Sequence, residues 1–158
     1  MSVIRPVLAA ERVPFRAMLD AYLVEDYALV DPEGKHDPHD FPNFELYWTE
    51  TWRSPWWLLA DGQPAGLALV SDRYGPSGLG VDHGLVEFYV APAFRRTGLG
   101  TRGAVALFTA LPGQWELMVS PRNPGSTAFW PRAIAAAGAR DYQTQEVSDA
   151  ISHRFVVG

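Results

Sequence analysis

The chain has 158 residues, 47% hydrophobic and 13% aromatic, which suits one domain with one packed core. Its formal net charge is -5, Lys35 is the only lysine and the arginines are scattered, so nucleic acid is a poor candidate partner. The absence of cysteine excludes a disulfide framework, a thiolate metal site and a cysteine nucleophile.

The first residues, Met-Ser-Val-Ile-Arg-Pro, lack a basic segment followed by an apolar leader. No apolar run approaches the roughly 18 residues of a membrane span. The expectation is a cytoplasmic protein with no membrane partner, either a monomer or a homodimer. Val3 to Ala9 reads as a short edge strand broken by Pro6. From Glu11 onward Phe15, Met18, Leu19, Tyr22 and Leu23 recur at helical spacing, which predicts an amphipathic helix ending between Tyr27 and Val30. Asp31 to Pro42, rich in proline and charge, is a loop, and a second short helix is expected over Glu45 to Trp52.

Trp56 to Ala60 and Pro64 to Val70 form two strands around Asp61-Gly62, a pair that supplies the positive φ angles of a two-residue hairpin turn. After a glycine-rich loop over Asp72 to Gly84, Leu85 to Ala91 is a strongly β-prone run and reads as a buried central strand. Gly100 to Leu111 is helical and stops at Pro112-Gly113, and Trp115 to Val119 is a further short strand, which completes a βαβ unit. Ser126 to Ala137 is a helix closed by Gly138 despite Pro131, and Arg140 to Gln145 with Ile151 to Val157 form a terminal strand pair.

The segment from Leu85 to Gly100 ends a strand, turns at Pro92 and opens a helix through Arg95-Arg96-Thr97-Gly98-Leu99-Gly100. Free N–H groups at a helix N-terminus attract anions, and the two glycines let the main chain approach phosphate oxygens; Arg95 and Arg96 add formal charge at the rim. Two other readings compete. Gly98-Leu99-Gly100-Thr101-Arg102-Gly103 spells the dinucleotide fingerprint, but it follows its strand too late and Glu116 lies inside the next strand rather than ending it. The other reading makes the glycines mere turn caps and the arginines solvated.

These residues carry a resemblance. Arg95 to Gly100 fits the acyl-CoA signature Q/R-x-x-G-x-G/A of the GNAT N-acetyltransferase superfamily. Asn123-Pro124-Gly125-Ser126-Thr127-Ala128-Phe129-Trp130 resembles the family's N-x-x-A-x-x-F/L-Y/W motif, with Ser126 in place of alanine and Gly138 ending the helix. The match is specific from about Leu85 to Gly138. It implies an α/β fold in which a central mixed, mostly antiparallel sheet with splayed central strands is flanked by helices.

The resemblance also implies acetyl-CoA as cosubstrate, with its pantetheine arm on the backbone of Phe88, Tyr89 and Val90. Its pyrophosphate would meet the N–H groups of Arg96, Thr97, Gly98, Leu99, Gly100 and Thr101. The implied reaction is direct acetyl transfer to a primary amine of a small molecule or peptide, and the amine must lose a proton. Glu87 is the candidate base, the one carboxylate in an apolar strand, where burial would raise its pKa. An ion pair with an arginine or an outward-facing position would explain it equally.

Where the family frequently has a tyrosine that protonates the leaving thiolate, this chain has Trp130, whose indole is not an acid. Trp130 would pack on the pantetheine, or the domain would bind acyl-CoA as a non-catalytic sensor. Asn123 would bond the pantetheine or the strand end at Val119, or else cap a helix. Tyr22, Tyr27, Tyr47, Trp48 and Trp52 would line an acceptor pocket or pack the core. His36, His39 and His83, with Asp37, Asp40 and Asp82 beside them, lack metal-ligand spacing and read as solvated loop residues, so no metal is expected.

Overall fold

The computed structural model describes residues 2–158. Seven strands form one sheet: β1 (Ile4–Pro6), β2 (Arg53–Ala60), β3 (Gln63–Ser71), β4 (His83–Val90), β5 (Gly113–Val119), β6 (Arg140–Val147) and β7 (Ala150–Val157), in the order β1-β2-β3-β4-β5-β7-β6. Every neighbouring pair is antiparallel except β4 and β5, which are parallel because a helical crossover joins them. This is the mixed, mostly antiparallel sheet expected from the sequence. Pro6 lies on edge strand β1, where a missing N–H costs no internal ladder bond.

Three helices cover the sheet: α1 (Arg12–Val30), α2 (Leu99–Ala110) and α3 (Pro124–Ala136). α1 buries Phe15, Leu19 and Leu23, a four-residue spacing that gives one apolar stripe. That stripe packs with Trp57, Leu67, Leu69 and Tyr89 on one face of the sheet. On the other face, Leu107, Phe108, Trp130 and Ile134 of α2 and α3 pack with Val70, Leu85, Trp115 and Phe155. β3 between them is buried from Ala65 to Ser71, as a central strand covered on both sides must be. No helix among the described residues is long and apolar enough to cross a membrane.

The hairpin turn is as read, with φ of 49° at Asp61 and 78° at Gly62. The second helix expected over Glu45 to Trp52 is instead a 3-10 turn, Phe44–Trp48. Phe44 and Tyr47, three residues apart, both turn inward, which is the repeat of a 3-10 helix. The N–H groups of Thr49 and Glu50 both bond the Leu46 carbonyl, and Arg53 opens β2 directly afterwards, so a second turn has no room.

Two irregularities of β4 position the site. Its pairing with β5 runs only from His83↔Trp115 to Leu85↔Leu117, and past that point the two strands part. At the same place the β3 register jumps between Leu69↔Glu87 and Val70↔Leu85, leaving Val86 as a bulge. Leu85 packs on the α2/α3 side, whereas Val86 and Tyr89 belong to the α1 side. The extra residue re-aims the strand, so that Glu87 also turns toward α1.

Candidate active site

The gap between β4 and β5 opens into a cleft of about 750 Å³. Its walls include Phe88, Tyr89 and Val90 of β4, Leu117 to Ser120 at the end of β5, and Phe129 and Trp130 of α3. Beyond Leu85 the edge of β4 that faces β5 has no strand partner among the described residues. Apart from the Val90 carbonyl, which accepts from Arg95 Nε, its peptide groups there are open to an extended, amide-bearing ligand, in the way that a strand edge recruits a further strand.

One end of the cleft is formed by Arg95, Arg96 and Gly98 to Thr101. Gly98 has φ of 82° and caps α2, and its carbonyl accepts the first helical bond from Arg102 N at 3.0 Å. Leu99, Gly100 and Thr101 make up the first helical turn, so their N–H groups have no partner within the helix. A Cβ at Gly100 would lie 3.1 Å from the Phe129 ring, so the chain passes too close to α3 for a larger residue to fit freely. Arg96 also has a positive φ of 63°, and Thr97 Oγ1 bonds the Phe94 carbonyl at 2.7 Å, which fixes the turn. The concave run of amides ahead of a helix dipole fits a pyrophosphate.

The two sequence-read arginines are not equivalent. Arg95 is pulled back from the rim, since its Nε donates to the Val90 carbonyl at 2.9 Å and its Nη2 pairs with Glu25 Oε1 at 2.7 Å. It therefore ties β4 to α1. Arg102, not singled out from the sequence, donates from Nη1 to the Thr97 carbonyl at 2.9 Å and brings a guanidinium beneath the turn. Its position one helical turn after Gly98 was the signal that could have revealed it.

Glu87 lies deeper in the same cleft, crowded by protein yet with part of its surface open to the cavity. Burial, with the nearby Asp26 carboxylate acting the same way, raises its pKa to about 8, while a hydrogen bond from Tyr22 offsets part of the rise. Burial, with Glu87 and Asp26 nearby, holds the Tyr22 phenol well above its usual range, so it stays a protonated donor. The Tyr22 ring leans on Tyr89 at a centroid distance of 5.3 Å. Glu87 has no arginine partner among the described residues, so the ion-pair alternative is not what the structure places there.

The family follows from a direct comparison. The model of the acetyltransferase (GNAT) family matches residues 17–134. The chain belongs to that family. A GNAT-family acetyltransferase from Streptococcus agalactiae superposes with a TM-score of 0.72 at 13% identity, covering 98% of this chain and 95% of that one. An acetyltransferase from Thermus thermophilus gives 0.68 at 16% identity, covering 99% and 98%. AAC(6')-Ib in complex with ribostamycin and coenzyme A gives 0.65 at 17% identity, covering 98% and 92%. No curated protein sequence matches the chain.

The other GNAT-motif residues fall as follows. Asn123 Oδ1 accepts from Ser126 N at 3.1 Å, so it caps α3, and its side chain stands near enough to Asp26 to favour that group's charged form. Asp26, half-buried, has its pKa raised by burial, with Asn123 opposing and Glu25 adding to the rise. Trp130 sits edge-on to Phe88 at 5.0 Å and to Phe129 at 4.8 Å, buried as a wall of the cleft with no ionisable group to offer.

Of the five aromatics read along the N-terminal region, Tyr22 lines the coenzyme-sized cleft, and Tyr47 and Trp52 line a neighbouring cavity. Trp48 is a structural residue whose Nε1 bonds the Val7 carbonyl at 3.0 Å, and Tyr27 packs against the α1-side core. The histidines lie beside separate carboxylates, His36 by Asp31, His39 by Asp20 and His83 by Asp72.

Proposed function

We propose that this GNAT chain is an acetyl-CoA-dependent N-acetyltransferase that transfers the acetyl group directly to a primary amine of a small molecule or peptide, with Glu87 as the general base. One observation carries the reading. A single cleft runs from the unpaired amides of Gly98 to Thr101, along the exposed edge of β4, to a carboxyl group whose pKa is near 8. That sequence of features matches a diphosphate, an amide-bearing arm and a reacting thioester.

Bound there, acetyl-CoA would supply an activated acyl group on a fair leaving thiolate, with a free-thiol pKa of about 8.5. The chain's residues account for the rest. Gly98, Leu99, Gly100 and Thr101 hold the anionic end. Phe88, Tyr89 and Val90 align the arm, while Phe129 and Trp130 exclude water from it. Glu87 accepts a proton from the bound ammonium group; the free amine then bonds to the acyl carbon, and its second proton goes to the thiolate released as the carbon–sulfur bond breaks. Tyr22 holds the carboxyl group in position and stays protonated throughout. Asn123 acts by capping α3 beside Asp26.

The test is thiol release from acetyl-CoA across a broad panel of primary amines. Amine-dependent release, strongly reduced in Glu87→Gln, is the expected result. Micromolar acetyl-CoA binding with no amine acetylated would favour an acyl-CoA sensor instead, the reading that Trp130 in the acid position supports.

A further inference from the structure

We infer that the acceptor amine carries a compact anionic group, a carboxylate or a phosphate, which seats against Arg73 and Arg53 in a second cavity beside Glu87. The inference rests on the N-acetyltransferase reading and adds the substrate class. This cavity of about 440 Å³ shares the walls Tyr74 and Val86 with the coenzyme-sized cleft, and Val86 is the bulge residue adjacent to Glu87. The two spaces are therefore neighbours separated by Tyr74 and Val86, next to Glu87. Tyr47 and Tyr74, both on the wall of the smaller cavity, feel the Glu87 charge in addition to burial, and each phenol is pushed up to about 12.

The charges at the reacting ends of the two spaces differ. In the larger cleft Arg95 pairs with Glu25 and Arg96 stands at the α2 turn, which leaves Asp26 and Glu87 as the carboxyl groups without an arginine partner among the described residues, a surface suited to an ammonium group. The smaller cavity carries no carboxylate on its wall, and its charged groups are Arg53 and Arg73.

Arg73 lies over Trp52, with its guanidinium carbon 3.6 Å from the ring centroid, and it has no carboxylate partner among the described residues. That contact leaves its N–H groups open to a bidentate oxyanion. Arg53 is half-spent, since its Nε pairs with Glu50 Oε1 at 2.9 Å while it rests over Tyr47. An acceptor with an ammonium group at one end and an anion at the other matches this polarity. A polycation such as an aminoglycoside would instead place positive charge against two arginines.

The experiment is titration calorimetry on the full chain saturated with coenzyme A, using matched probes. The pairs are phenylalanine with phenethylamine and 3-aminopropylphosphonate with propylamine, and kanamycin is the polycation. In at least one pair the anion-bearing member should bind about tenfold or more tightly than its partner that carries the ammonium group alone. Which pair shows the larger preference identifies the anion. In Arg73→Gln that preference should fall below about twofold, while Arg73→Lys retains part of it and coenzyme A affinity stays unchanged.

Equal affinities within both pairs, tighter binding of kanamycin, binding of no probe, or an intact preference in Arg73→Gln would overturn the inference. Thiol release scores the acetyltransferase reading separately. A chain that shows the anion preference yet acetylates none of these amines keeps this site and loses that reaction.

Discussion

Replacing Glu87 with glutamine removes the proposed base while keeping nearly the same shape. An alkylammonium acceptor has a pKa of about 10.4, so handing its proton to an ordinary carboxylate would be uphill by about 8 kcal/mol. With Glu87 held at about 8, the same transfer is uphill by only about 3 kcal/mol. The structure thus assigns burial, reinforced by Asp26, a share of about 5 kcal/mol in making the carboxylate useful. Loss of general-base assistance costs on the order of 10²- to 10⁴-fold in rate.

The pH dependence discriminates further. Below about pH 8 both wild type and Glu87→Gln should gain tenfold in kcat/KM per pH unit, at a constant ratio. Between about pH 8 and 10 the wild type levels off while the variant keeps rising with free amine, so the defect shrinks. Stopped-flow detection of released thiol measures both profiles. An unaltered inflection near pH 8 in Glu87→Gln, or a loss of less than about threefold, would refute the role of Glu87.

The same substitution should also affect stability. Because the folded pKa of Glu87 is raised from 4.5 to about 8, the folded protein keeps a proton that the unfolded chain has released between those values. Wild-type stability from this group is therefore full below about pH 4.5 and falls as pH rises to about 8. Relative to wild type, Glu87→Gln should gain a few kcal/mol, about 5 at most, between about pH 5 and pH 9 in urea denaturation; a pH-independent difference contradicts the shift. Gly98→Glu should weaken acetyl-CoA binding about 100-fold or more by placing a carboxylate in the proposed anion cradle, whereas Gly98→Ala meets the left-handed strain and a 2.9 Å approach to the movable end of Arg102, and should cost less than about tenfold. Asn123→Ala should lower stability by about 1 kcal/mol through loss of the α3 cap, and a change below about 0.3 kcal/mol would remove that role.

Much of the architecture was legible because it rests on local signals. The 3.6-residue stripe Phe15-Leu19-Leu23, the Asp61-Gly62 turn and the strand-loop-helix-strand run from His83 to Val119 each encode their element in adjacent residues. The turn proposed as the anion cradle was legible as a turn for the same reason, since the positive φ at Gly98 and the close approach at Gly100 need glycine at those positions. The 3-10 turn at Phe44–Trp48 was not legible, because aromatic residues three apart look alike in one 3-10 turn and in the start of an α-helix.

Partnerships across long sequence distances were not visible at all. Arg95 reads as a free rim charge until Glu25 is seen to hold it, 70 residues away in sequence. The bulge at Val86, which turns Glu87 toward Tyr22 and Asp26, depends on the register with β3 and has no signature in β4 itself. The cavity of Arg53 and Arg73 likewise forms only when the ends of β2 and β3 are brought beside the 3-10 turn.

A crystal structure with coenzyme A bound tests the central claim most directly. The account predicts pyrophosphate oxygens within about 3 Å of the amide nitrogens between Gly98 and Thr101, the arm along Phe88 to Val90, and the sulfur in the part of the cleft that holds Glu87. Coenzyme A bound outside the gap between β4 and β5, or with its diphosphate held by side chains away from that turn, would contradict it.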